Sequence, residues 1–141
     1  MKMKDQNCAY CVEGELLAAF GYPCAELDHS KVYIFKEQSH KGRVIVASNQ
    51  HVSELTELSD EDRNGFFSDV AKVANAQHQA FHPDKVNYGA YGDTGPHLHF
   101  HLVPKYKDEF EWNAPFAMNP GQVTLTDDDY EALAETLRRY L

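Results

Sequence analysis

Three histidines alternate with large apolar residues in His97-Leu98-His99-Phe100-His101-Leu102-Val103-Pro104. On a β-strand, residues i, i+2 and i+4 share a face, so this spacing predicts three imidazoles on one side, with Leu98, Phe100 and Leu102 turned into a core. One metal ion held by all three is geometrically awkward. At about 3.3 Å per residue the outer Cα atoms stand about 13 Å apart, and zinc, with Zn–N bonds of about 2.0–2.1 Å, would need both outer rings to lean strongly inward. A division of labour is easier: one histidine as nucleophile, its neighbours as anion donor and structural anchor. Neutral imidazole, with a reference pKa of about 6.5, is a competent nucleophile at pH 7. It attacks through one nitrogen when the other is tied to an acceptor, and adjacent backbone carbonyls suit the middle position to that role. The bland alternative is a row of solvent-facing polar residues on a half-buried strand. Strict alternation behind a glycine turn makes that the weaker reading.

A second group is Cys8-Ala9-Tyr10-Cys11. In a reducing compartment Cys-x-x-Cys is more often a metal clip or a redox pair than a structural disulfide. Tetrahedral zinc would need two further ligands, while no βαβ opening of thioredoxin type surrounds the pair. Cys24 stands alone and reads as a small buried residue.

These residues must be positioned by ordinary elements. Residues 31–36 (KVYIFK) and 43–48 (RVIVAS) are rich in β-branched and aromatic side chains and predict two strands joined by a turn at 37–42. The short apolar stretch 15–20 is broken by Gly21-Tyr22-Pro23. Ser59 is the expected N-cap of a long helix whose stripe of Phe66, Val70, Val73, Gln77 and Phe81 follows helical spacing, ending at His82-Pro83-Asp84. Gly65 within it costs about 1 kcal/mol against Ala, with nothing in the sequence to account for it. Residues 85–91 predict a strand, Gly92-Asp93-Thr94-Gly95-Pro96 a turn, and 97–103 the histidine strand, with Pro104 tolerable only at its end. An irregular aromatic stretch through Phe110, Trp112 and Phe116 follows. Trp112 and Phe116 suit either a nucleobase or the edge of the core. Thr126 then caps an amphipathic helix over 127–141, whose Asp127-Asp128-Asp129 and Arg138-Arg139 match the helix dipole. The order implies one α+β domain over 1–141, an antiparallel sheet with a long helix and a C-terminal helix.

Length and charge bound the partners. The 141 residues suit one domain. Thirteen Lys and Arg against 22 Asp and Glu give a net charge of −9, and no basic block is present, which argues against long nucleic acid or anionic lipid. No apolar run approaches the ~20 residues of a membrane span, and the N-terminus leads into no apolar signal core, so cytoplasm is the expected location.

The segment 97–103 resembles the signature of the histidine triad (HIT) family, three histidines alternating with apolar residues. The stretch 43–55 (RVIVASNQHVSEL), the helix from Ser59 and Asn87-Tyr88-Gly89 fall in the family's order, so the resemblance covers roughly residues 8–107. It implies a HIT-like fold and a nucleotide hydrolase or nucleotidyl transferase acting on dinucleoside polyphosphates or nucleoside phosphoramidates. By the same resemblance His99 attacks the α-phosphorus to form a nucleotidyl-histidine, His101 hydrogen-bonds the phosphate and Asn87 helps position the nucleotide. Some branches hold structural zinc through residues matching Cys8, Cys11, His51 and His97. A homodimer is also implied. Two departures stand out. Where many members have a histidine eight residues before His51 this chain has Arg43, with His40 three residues off, and either or neither supplies a phosphate contact. The turn before the triad carries Asp93 and Thr94 where Gln or Ser is usual. Thr94 offers a hydroxyl, but Asp93 repels phosphate unless protonated or paired. The competing classes are a metal-dependent hydrolase using triad and cysteines, and a nucleotide-binding regulatory module with little turnover.

Overall fold

The computed structural model describes residues 5–141; residues 1–4 of the expected domain lie outside the described residues. Two short helices, α1 (Ala9–Val12) and α2 (Gly14–Ala18), lead into strands β1 (Gly21–Glu26), β2 (Ser30–Phe35) and β3 (Val44–Ser48). The long helix α3 (Asp60–Phe81) separates these from β4 (Lys85–Gly89) and β5 (His99–Lys105), and α4 (Asp127–Arg138) closes the chain. The strands form one antiparallel sheet in the order β1-β2-β3-β5-β4, so the expected α+β class with an antiparallel sheet is observed.

The two sheet faces are specialised. Alternation in β2, β3 and β5 sends Val32, Ile34, Val44, Val46, Phe100 and Leu102 toward α3 and α4, where they pack with Phe66, Val70, Val73 and Leu137. On the other face, Tyr33, Phe35, Ile45 and Ala47 pack with Leu17 and Tyr10 from the N-terminal arm. Ile45 pairs with His101 and Ala47 with His99. Paired residues share a face, so the histidines lie on the arm's side, away from the main core.

Local chemistry explains the elements. Ser59 and Thr126 accept from the backbone N–H groups of Asp62 (3.1 Å) and Asp129 (3.2 Å), capping α3 and α4, each such cap contributing about 1 kcal/mol. Gly65 has its reason in tertiary structure: the His29 imidazole, from the β1–β2 turn, occupies the space a Cβ would need. Nearby, Asp69 of α3 accepts from His29 N–H (2.9 Å) and the Ser30 hydroxyl (2.7 Å), fixing that turn to the helix.

The strand expected over 85–91 stops at Gly89, and three further differences stand out. Strand β1 is an element not foreseen, because Gly21 and Pro23 read as breakers. It is an edge strand with an irregularity between Pro23 and Ala25, a setting where proline costs no ladder bond. The histidine strand begins at His99 rather than His97 and runs through Pro104 to Lys105. Pairing with β3 ends at Leu102, so Pro104 is flanked by β4 alone. The last helix stops at Arg138.

Candidate active site

His99, the first residue of β5, is oriented by the backbone two residues before it. Its Nδ1 lies 2.7 Å from the carbonyl oxygen of His97. A carbonyl only accepts, so Nδ1 carries the proton and Nε2 keeps its lone pair. Burial holds the imidazole below its ordinary pKa, hence neutral at pH 7. The ring opens on a cleft of about 570 Å³ lined by Tyr91, Gly92, Asp93, Thr94, Gly95, Phe116 and Met118. Among these described residues there is one carboxylate and no lysine or arginine.

His101, two residues on, is nearly sealed at 2% exposure. Its pKa is pushed down to about 3, chiefly by burial and then by the Arg43 guanidinium beside it. Arg43 Nη2 donates to His101 Nδ1 (3.1 Å) and to the Met118 carbonyl (2.9 Å), while Nη1 donates to the Ala117 carbonyl (3.0 Å). The guanidinium carbon lies 4.3 Å from the centre of the Phe35 ring and 4.9 Å from that of Phe116. Arg43 is fully buried; burial lowers its pKa to about 10, which leaves it charged at neutral pH.

The segment between β5 and α4 is drawn over this face as a strap. Lys105 donates to the carbonyls of Glu111 (2.8 Å) and Ala114 (2.6 Å). Glu111 bonds His40 Nε2 (2.7 Å) and accepts from Ala117 N–H. Glu37 accepts from Ser39 and from the backbone N–H groups of Gln122 and Val123 (both 2.7 Å). Its burial would raise the carboxyl pKa, but these bonds outweigh it and the net shift is downward. Asp108, Glu111 and Asn113 take positive φ to make the bends. The strap delivers Phe116 and Met118 to the wall of the His99 cleft.

A second cluster forms around His97. One ligand atom each from Cys8, Cys11, His51 and His97 lies within 4.8 Å of all the others. Cys8 Sγ is 3.4 Å and Cys11 Sγ 3.6 Å from His97 Nδ1, Cys11 Sγ is 3.2 Å from His51 Nδ1, and the two Nδ1 atoms are 3.1 Å apart. A tetrahedron with Zn–S of about 2.3 Å and Zn–N of about 2.0–2.1 Å has edges of about 3.3–3.8 Å, so the donor set fits such an ion. His97 Nε2 donates to the Ser48 carbonyl (2.7 Å), which leaves Nδ1 unprotonated and facing the thiols, the arrangement a metal ligand requires. His99 takes no part. Tyr10, between the two cysteines, tilts over His97 and His99 with ring centroids 5.2 and 5.0 Å away.

The expected site residues therefore separate. His99 and Thr94 share one cleft. His101 stands beside them, with its ring centroid 5.4 Å from that of His99. Arg43 and His40 are both buried behind strap contacts rather than laid open to a phosphate. Asn87, opposite Val103 on β4, lines a different hollow with Lys85, Lys105 and Trp112. Sequence reasoning passed over Tyr10, Glu37 and Glu111. An aromatic inside the Cys-x-x-Cys pair was the available signal for Tyr10. Nothing local marks the two glutamates, whose long-range partners His40, Gln122 and Val123 are 71 to 86 residues away.

The HIT domain family model matches residues 26–108. Over 143 aligned residues the chain is 25% identical to an adenosine 5′-monophosphoramidase of Schizosaccharomyces pombe, with 93% of this chain and 96% of that protein covered. In fold it matches a histidine triad protein from Sinorhizobium meliloti with a TM-score of 0.83 at 19% identity, covering 91% and 95% of the two chains. It also matches a zinc-bound histidine triad family protein from Mycobacterium smegmatis, with a TM-score of 0.66 at 18% identity and 94% of each chain covered.

Proposed function

Because the chain belongs to the histidine triad (HIT) family, we propose that it hydrolyses nucleoside phosphoramidates, or transfers their nucleotidyl group, through a covalent nucleotidyl-histidine on His99. The observation that carries this reading is the bond from His99 Nδ1–H to the His97 carbonyl, which leaves Nε2 as the free nucleophile at the mouth of the cleft.

Nε2 attacks the α-phosphorus in line. The P–N bond to His99 forms as the bond to the leaving amine breaks, and the amine departs with a proton from water. A second water then attacks phosphorus, giving its proton to the hydroxide left by the first, and this releases the nucleoside monophosphate and returns His99 to its starting form. Splitting one substitution into two lowers each barrier, and on this reading His101 donates to a non-bridging oxygen as charge develops. An amine is favoured over a polyphosphate as leaving group by the cleft's charge: Asp93 faces it, and among the described lining residues no cation offsets a chain of phosphates. The named activity of the Schizosaccharomyces pombe relative, a monophosphoramidase, supports this choice.

Zinc is proposed for the Cys8, Cys11, His51 and His97 cluster. Four protein ligands leave no open position, which makes the site structural. When bound, the ion would tie the N-terminal arm to the residue whose carbonyl orients His99. A homodimer is proposed through the unpaired edge of β4, where Tyr88 is exposed.

A substrate panel with intact-mass detection tests the reading. Wild-type protein is expected to trap a nucleotidyl adduct and to prefer the phosphoramidate, and His99→Ala to lose both adduct and turnover while keeping one zinc per chain. Adduct formation surviving in His99→Ala, or activity that follows added metal, sinks it.

A further inference from the structure

Resting on the reading of His99 as nucleophile, we infer that Arg43 is a positioning residue that sets the tautomer of His101 and so makes it a donor to the transferring phosphoryl group.

A guanidinium has five N–H donors and no acceptor. Its Nη2 stands 3.1 Å from His101 Nδ1, so that nitrogen must accept. The ring's one proton is thereby placed on Nε2, which bonds to no other group among the described residues. A neutral imidazole with Nε2–H can give a hydrogen bond to a phosphoryl oxygen; the other tautomer would present a lone pair and repel it. Arg43 is itself held tightly. Its two terminal nitrogens are bound to consecutive strap carbonyls, Ala117 and Met118, and its plane lies between Phe35 and Phe116. Its Nε is buried without a partner among the described residues. Lysine could not reproduce this arrangement, since one ammonium lacks the planar fork that reaches three acceptors.

The same contacts couple the strap to the chemistry. Met118, whose carbonyl holds Arg43, lines the cleft in front of His99. The device that orients His101 is thus built from the wall against which the substrate lies.

Ring-nitrogen NMR of histidine-labelled protein at pH 7 is the primary test. The His101 signals are expected to show a protonated Nε2 and an unprotonated Nδ1 in the wild type, and a mixture of tautomers in Arg43→Met. A native His101 protonated on Nδ1 overturns the inference, and this measurement stands even if Arg43→Met does not fold. Kinetics supply the second test. Arg43→Met is expected to slow adduct formation about 10- to 100-fold, the cost of a misoriented group, with KM little changed. In a His101→Ala background the same substitution should add less than about twofold, because the two residues act as a unit. Multiplicative losses would show that Arg43 acts independently and would equally overturn the proposal. A wild-type protein with no turnover on any nucleotide would remove the enzymatic reading, while the ring spectrum would still decide the tautomer.

Discussion

Asp93 is a carboxylate in the cleft proposed to hold the phosphoryl group, and its neighbours there supply a hydroxyl from Thr94 and apolar walls from Phe116 and Met118. Such a lining penalises a leaving group that carries several negative charges. Asp93→Asn should therefore raise kcat/KM on a dinucleoside tetraphosphate by about 5- to 10-fold, equivalent to about 1 kcal/mol, and leave the phosphoramidate rate within about twofold. Steady-state kinetics on both substrates read the ratio, and an unchanged ratio would separate Asp93 from leaving-group choice. At this scale the histidines were legible because alternation on a strand is a local property. The role of Arg43 was not: its partners His101, Ala117 and Met118 are 58 to 75 residues away, and the sequence shows only a basic residue where the family often has histidine.

Helix α3 illustrates a propensity rule overridden by packing. An interior glycine replaced by alanine ordinarily gains about 1 kcal/mol, but at Gly65 the new methyl would meet the His29 ring. Gly65→Ala alone should give no gain in urea-unfolding free energy. In a His29→Ala background it should recover the expected ~1 kcal/mol, and equal effects in both backgrounds would discard the contact as the reason. The long helix and both capped N-termini were readable from periodicity and cap residues. Strand β1 was not, because Gly21 and Pro23 are breakers everywhere except at an edge, and edge position is a property of the sheet rather than of the segment.

Taken as a whole, the molecule has one sheet with its main core on one face and, on the other, a smaller apolar cluster bordered by buried histidines and the strap. That side makes the fold acid-sensitive. His101 has a folded pKa of about 3 against an ordinary 6.5. As pH falls below 6.5 the unfolded chain binds a proton that the folded one refuses, and this part of the stability is lost progressively between 6.5 and 3. Glu37 and Glu111, both held below their ordinary value, add stability that is present above pH 4.5 and lost below it. Urea midpoints should thus fall from pH 7 to pH 5 and more steeply below 4.5. In His101→Gln the fall between 7 and 5 should flatten, and an identical slope in that variant would remove His101 as its source.

The sequence by itself determined the α+β class, the long and C-terminal helices, the alternation that puts His99 and His101 on one face, and a four-residue set able to hold a metal. Each follows from residue spacing along a single element or from a recognisable family pattern. Only the tertiary structure decided that His97 lies outside the strand, that Arg43 turns inward to His101, and that the segment from Glu111 to Val123 brings Phe116 and Met118 to the cleft. These depend on which strands pair and in which register, and on buried charges finding partners far along the chain. Such contacts arise when the sheet closes and leave no trace in local spacing.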